Sequence, residues 1–338
     1  MATLSTSALT LADWAKRLDP NGVVPTIVEL LAQTNEILND MLFVEGNLPT
    51  GHRTTVRTGL PTVYWRLLNQ GVMPSKSTTA QVDEQAGILE AYSEVDKDLA
   101  ELNGNVAQFR LSEARAFLEA MNQEMAQTVF YGNAGLAPEE FTGLSARYSS
   151  LSASVANSQN IVSGGGSGGD CSSAWLIVWG ENSVHGIFPK GSKAGLVHED
   201  RKEQMIQSSG GQRMIALVDR FQWKAGLAVR DWRYAVRIAN IDIGDLVAGT
   251  GTQTATSATR LINLFTKAVH RIPNANMGRA AFYANRTVLE YLDMQARADV
   301  SAGGGLTYEN VDGKRVATFR GIPIRPCDAL LETEATVA

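Results

Sequence analysis

Residues Asn105–Asn133 read NVAQFRLSEARAFLEAMNQEMAQTVFYGN. Phe109, Ala114, Phe117, Leu118, Met121, Met125 and Val129 recur at steps of three and four, the period at which side chains share one face of an α-helix. Glu113, Glu119, Gln123 and Gln127 fall away from that face, and Gly132-Asn133 supplies a stop. The spacing predicts a helix over 105–130. At 1.5 Å per residue it is on the order of 35–40 Å long, above the usual three turns. A helix of that length acts as a spine on which other elements pack.

On its N-terminal side the texture is that of strands. From His52 to Leu68, residues alternate through Arg53, Thr55 and Arg57, and Val63, Tyr64, Trp65, Arg66 and Leu67 are β-formers. Asn69-Gln70-Gly71 and Met73-Pro74-Ser75 carry turn chemistry, the run SKSTTAQVDEQ is polar, and Gly87–Val95 is extended again. Residues 53–92 therefore predict a long hairpin whose tip is poor in apolar residues. A lone two-stranded ribbon is marginal in water, so support from outside the subunit's own core is expected. Further upstream, Thr10 or Asp13 caps a short helix through Leu18, which Pro20-Asn21-Gly22 breaks. Val24, Ile27, Val28, Leu30, Leu31, Ile37, Leu38, Met41 and Leu42 then form an apolar helical face. Two readings of it stand level: a helix docked on its own domain, or an arm that packs on a neighbour.

On the C-terminal side, Pro138–Tyr148 is a loop anchored at Phe141-Thr142-Gly143-Leu144, and residues 149–169 are rich in Ser, Asn and Gly. Strands are predicted at Ala174–Trp179, Ser183–Phe188 and Gly195–His198, with Glu199–Gly211 as a polar ribbon tip. Further strands follow at Arg213–Trp223, Leu227–Arg230 and Arg233–Ala239. Helices are predicted at 257–271 and 286–298, a buried strand at Ala280–Ala284, and a closing hairpin of Thr307–Asn310 and Arg315–Phe319 around the Asp312-Gly313 turn. Helices mixed with mostly antiparallel hairpins make the class α+β.

Function classes fall away on composition and spacing. The 338-residue chain has 44% apolar and 19% charged residues and a net charge of −5, which excludes a protein built to grip phosphate backbones. Two distant cysteines, Cys171 and Cys327, read as free thiols of a reducing compartment. There is no signal peptide and no run of about 20 apolar residues, so the chain is expected to be cytosolic where it is made, with no membrane partner. Gly164, Gly166 and Gly169 spell GxGxxG, but a strand follows where a dinucleotide site needs a helix N-terminus, so the tract reads as a flexible loop. His52, His185, His198 and His270 form no metal-ligand pattern, the paired carboxylates Glu139-Glu140 and Glu199-Asp200 read as solvated loop residues, and no GxSxG elbow exists. In RFQWKAGLAVRDWRYAVRIANI, aromatic and basic residues interleave as in single-strand nucleic-acid binders. The favoured reading is a sheet strand that packs Trp223, Trp232 and Tyr234 on one side, with Arg230, Arg233 and Arg237 on the other. No catalytic residue, metal site or cofactor is predicted.

The order of elements, an apolar N-terminal arm, a long hairpin, a spine helix and then a sheet domain interrupted by loops, resembles the major capsid proteins of tailed bacteriophages. Three stretches carry the likeness: VFYGN leading to PEEFTGLSARY after the spine helix, FQWKAGLAVRDWRYAVRIANID, and FRGIPIRPCDALL near the C-terminus. The resemblance implies the HK97-like fold, with residues 1–52 as N-arm and 53–92 as extended loop. It makes 93–145 and 193–244 the peripheral domain with its spine helix, and 146–192 and 245–338 the axial domain. It implies a structural subunit, not an enzyme, that self-assembles into pentamers and hexamers of a virion shell in the host cytoplasm. The shell encloses double-stranded DNA without sequence specificity. Implied partners are further copies of the chain, a portal protein, a decoration or cement protein, and a separate scaffolding protein or none. Contacts between subunits are expected at Leu31, Leu38, Met41 and Leu42 on the arm and at Tyr64, Trp65 and Lys76 on the loop. No residue pattern marks a cross-link at Lys76. An encapsulin-like compartment shell and an enzyme with a dispersed site are the rival readings.

Overall fold

The computed structural model describes residues 32–102, 105–207, 211–248, 261–298, 306–311 and 314–338. Leu31, the helix expected through Leu18, residues 257–260 and the Asp312-Gly313 turn lie outside these. Among the described residues there are thirteen strands: β1 (Phe43–Glu45), β2 (Gly51–Gly59), β3 (Thr78–Asp96), β4 (Ile161–Ser163), β5 (Cys171–Trp179), β6 (Val184–Phe188), β7 (Leu196–Gln207), β8 (Arg213–Val229), β9 (Ala235–Asp242), β10 (Arg279–Ala284), β11 (Leu306–Val311), β12 (Lys314–Phe319) and β13 (Ile322–Pro326). Among the described residues the α-helices are α1 (Ile37–Asp40), α2 (Lys97–Glu101), α3 (Val106–Tyr131), α4 (Leu144–Arg147), α5 (Ile243–Ala248), α6 (Leu261–Arg271) and α7 (Arg286–Ala298). The strands link in the order β11-β12-β13-β10-β5-β6-β8-β3-β2, with β9 on β5, β4 on β9, β1 on β6 and β7 on β8.

The centre is β5. Its sequence CSSAWLIVW is buried at every position, which is why the strand reads as an unbroken run and not as an alternation. Trp175, Ile177 and Trp179 point into one core with Met125, Ala126, Val129 and Phe130 of α3. Ala174, Leu176 and Val178 point into the other, with Leu261, Leu264 and Phe265 of α6 and Val288 and Leu292 of α7. The sheet thus lies between the spine helix on one side and a helix pair on the other. The spine begins where expected, Asn105 accepting a hydrogen bond from the Gln108 amide, and ends at Gly132. Its first half leaves the main core and packs Phe109 with Val95, Ala100 and Leu217 in a small separate cluster.

Several expectations are corrected. The hairpin exists, with β2 and β3 antiparallel from Gly51↔Gln85 to Gly59↔Thr78, but Val63–Leu67 are not strand. Residues 60–77 are an irregular loop, and the polar run from Thr78 is the strand. The tip is therefore apolar, not polar. Glu199–Gln207 continues β7 rather than forming a tip, because its register with β8 runs on from Leu196↔Trp223 to Gln207↔Arg213 across a bulge at Asp200/Lys202. Arg213–Trp223 and Leu227–Val229 are one strand, β8, which ends before Arg230. Arg230, Arg233 and Arg237 do not line one face: a 3-10 turn at Trp232–Tyr234 separates β8 from β9, and Arg237 is buried. The apolar face through Met41 is not one helix either, since α1 has four residues and the chain then becomes β1, parallel to β6.

β3 and β6 converge on Gly226 of β8, which lies opposite Ala86 on one side and Ile187 on the other. A Cβ there would sit 2.4 Å from the Gln85 carbonyl oxygen, closer than any real contact. Gly226→Ala is expected to cost about 1–3 kcal/mol by overpacking, read as a lower denaturation midpoint. An unchanged midpoint would show that the hairpin's root has room to move.

Candidate assembly surfaces

The hairpin is rooted by charge. Glu84 of β3 is buried and takes both oxygens to Arg147 of α4, at 2.7 and 2.5 Å. Its register partner is His52 of β2. His52 lies against His185 of β6, ring centroids 5.9 Å apart, and its Nε2 faces the Arg230 guanidinium at 3.2 Å. The Asn47 amide donates to His52 Nδ1 at 3.3 Å. Both neighbours of the ring are donors, so a protonated His52 has nothing to donate to. Burial and then the Arg230 charge lower its pKa. His185 is wholly buried, with neither ring nitrogen hydrogen-bonded, and burial chiefly drives its pKa down to about 4.

Beyond that root, the tip has no core. Leu60, Val63, Leu67, Leu68 and Met73 are all at least 70% exposed and Trp65 is fully exposed. Tyr64 is about half exposed and Lys76 is exposed. An apolar cluster of this extent on one loop marks an interaction site. The arm residues behave differently. Met41 is buried in the main core and Leu38 packs against it, so both are satisfied within the subunit, whereas Leu42 is 46% exposed. The reason is local: Asp40, buried beside them, accepts hydrogen bonds from Tyr283 and pairs with Arg279, which clamps α1 onto β10.

A second site was invisible in the sequence. Arg237 and Glu334, 97 residues apart, form a buried ion pair at 2.8 Å. Glu334 also accepts from Ser173 at 2.5 Å and from Tyr131 of the spine helix. Arg237 donates to the Tyr148 carbonyl and lies over the Trp175 ring. Spine, sheet and C-terminal segment meet there. The arrangement is saturated with internal partners, which suits a structural clamp. The glycine tract is also structural: Gly164 and Gly166 lie against the Asn240 backbone, and β5, not a helix, follows. Cys171 and Cys327 are buried free thiols. Among the described residues no group of three or more His, Cys, Asp or Glu is placed to hold a metal ion, and no helix is long and apolar enough to cross a membrane.

The sequence pattern of the family described as major capsid protein GP7 matches residues 19–338. The chain belongs to that family. A solved chain of bacteriophage Epsilon15 is 34% identical over 100% of this chain and 99% of its own, with a TM-score of 0.80. More distant likenesses include the capsid of a native GTA particle, at 10% identity over 70% of this chain and 99% of that one, TM-score 0.47. The SrpI encapsulin of Synechococcus elongatus is 10% identical over 69% of this chain and 97% of that one, TM-score 0.43. No curated protein sequence matches. This family member has the HK97-like capsid fold and is a structural shell subunit of a phage capsid, which places it in the virion. Between a phage shell and a cargo compartment, the family decides for the phage.

Proposed function

We propose that this capsid subunit forms pentamers and hexamers in which each copy lays its hairpin, residues 51–96, on a neighbour. The observation that carries this is the tip: a run of large apolar side chains in solvent at the end of a ribbon whose root is fixed by the Glu84–Arg147 ion pair. Heterologous contacts of that kind close into rings. Leu42, Tyr64, Trp65 and Lys76 are the contact residues available on the surface. The peripheral domain comprises the small cluster around Phe109 with the outer parts of β3, β7 and β8. The axial domain, residues 146–192 and 245–338, holds the core on α6 and α7, to which β9 lends Val236, Ile238 and Ile241. The shell, assembled in the host cytoplasm, encloses double-stranded DNA without base-reading contacts, in line with a chain of net charge −5. Its further partners are a portal protein, a decoration or cement protein, and a separate scaffolding protein or none.

The test removes the tip and keeps its ladder. Gly59 and Thr78 are register partners, so residues 60–77 can be replaced by Asn-Gly, a two-residue hairpin turn. The shortened chain is expected to melt as a folded, soluble subunit and to give no shells by negative-stain microscopy where the full chain gives them. Shells from the shortened chain, or its failure to fold, would overturn the assignment.

A further inference from the structure

The buried root of the hairpin holds more hydrogen-bond donors than acceptors. His52 on β2 and His185 on β6 meet edge to face, 6% and 0% exposed. The Arg230 guanidinium, just past β8, lies against His52. A neutral imidazole has one N–H and one lone pair. His52 meets donors at both nitrogens, the Asn47 amide at Nδ1 and Arg230 at Nε2. It can accept from only one of them and turns an N–H on the other. His185 bonds through neither nitrogen, and the Gly180 backbone, with which it has only a weak contact, already accepts from the Ser183 amide. The Nε–H of Arg230 is buried without an acceptor as well.

The Arg230 charge is also unanswered. Its guanidinium reaches neutral atoms, Asn182 Oδ1 at 3.4 Å and His52 Nε2 at 3.2 Å. The carboxylates nearby in register and in sequence are committed elsewhere, Glu84 to Arg147 and Asp231 to Arg233, and Glu181 is exposed. Buried polar groups are almost always paired, and a buried charge needs a counter-charge. A ligand that only accepts and carries one negative charge supplies both.

We infer that His52, His185 and Arg230 form a binding site for one small monovalent anion of the halide class. A divalent oxyanion fits worse, because stripping its water costs far more and one guanidinium offers a single balancing charge. The bound anion bridges β2, β6 and the end of β8, and so holds the ribbon to the sheet from within one subunit. The site needs no docked neighbour.

The full chain is unfolded with denaturant near neutral pH in sodium chloride and, at matched ionic strength, in sodium gluconate, whose anion is too bulky for a buried site. Between about 10 and about 100 mM chloride, the folding equilibrium constant is expected to rise about three- to tenfold over the gluconate control, tenfold being the limit for one ion. The width of the chloride NMR signal reads binding directly: the folded parent is expected to broaden it, and bromide to reverse the broadening by competition. Arg230→Gln and His185→Leu are each expected to abolish both effects. Equal stability of the parent in the two salts, or a chloride signal that it leaves sharp, overturns the site without requiring any variant to fold. Folded variants that keep the parent's chloride response overturn these residues as its ligands.

Discussion

Glu334→Ala is expected to destabilise the subunit by about 3–5 kcal/mol, the range for removing one partner of a buried ion pair. Arg237 would be left charged, 4% exposed, and without its counter-ion. Its remaining contacts, the Tyr148 carbonyl, the Ser173 hydroxyl and the Trp175 ring, are polar or polarisable but carry no formal charge. The same substitution leaves the Tyr131 hydroxyl of the spine helix without its carboxylate acceptor. The penalty therefore comes from orphaned groups, not from the attraction as such. A double variant separates the two. Glu334→Ala with Arg237→Met removes both charges and is expected to regain much of the loss in denaturation midpoint, because an apolar replacement of a buried pair is often near neutral. If Glu334→Ala alone shifts stability by less than about 1 kcal/mol, the range of an exposed pair, water reaches the site and the clamp is not what ties the C-terminal segment to the spine.

The clamp also shows where sequence reading stops. The spine helix was legible because its apolar face repeats with the helical period from Phe109 to Val129, and the match was set by local geometry alone. β5 was legible for the opposite reason, a run of β-formers with no polar face. Arg237 looked like an outward residue of an alternating strand, and nothing local distinguishes it from Arg233, which pairs with Asp231 at the surface. What buries it is a glutamate 97 residues away, a tertiary fact with no periodic trace. β7 failed differently. LVHEDRKEQMIQ is mostly exposed along its length, so no apolar alternation announces it, and its pairing with β8 alone makes it a strand. The hairpin tip carries strand formers at Val63–Leu67 that form no strand within the subunit. β-propensity reports fitness for a half-buried pleated surface, and this subunit provides none there. The spacing of Leu38, Met41 and Leu42 is that of one helical face, but the break after Asp40 sends Met41 inward and leaves Leu42 out.

Acid is expected to loosen the hairpin's root before it titrates the surface. His185 carries an ordinary imidazole in the unfolded chain, near 6.5, and about 4 in the folded one. Burial dominates that depression, the charge of Arg230 adds to it, and a weak contact with the Gly180 backbone opposes it. Between those two values the unfolded chain binds the extra proton, so stability rises with pH through this window and falls as the pH drops from about 6.5 to about 4. The gap corresponds to on the order of 3 kcal/mol. His52 shifts in the same direction and adds to the effect. Carboxylates contribute lower down: Glu90, held near 2 chiefly by Arg220, is lost as a stabilising group only as the pH falls below its ordinary value of 4.5 towards 2. The windows overlap little, which makes the histidine term measurable. His185→Leu keeps an apolar side chain of similar size and removes the proton. Denaturant midpoints of the parent are expected to fall between pH 6.5 and 4.5, and those of the variant to fall distinctly less. The parent's extra loss should be accompanied by faster proteolysis within residues 51–96, since Glu84, Arg147, His52 and Arg230 together hold that ribbon to the sheet. Equal slopes for parent and variant across this range would place the acid sensitivity elsewhere and leave His185 as a packing residue only.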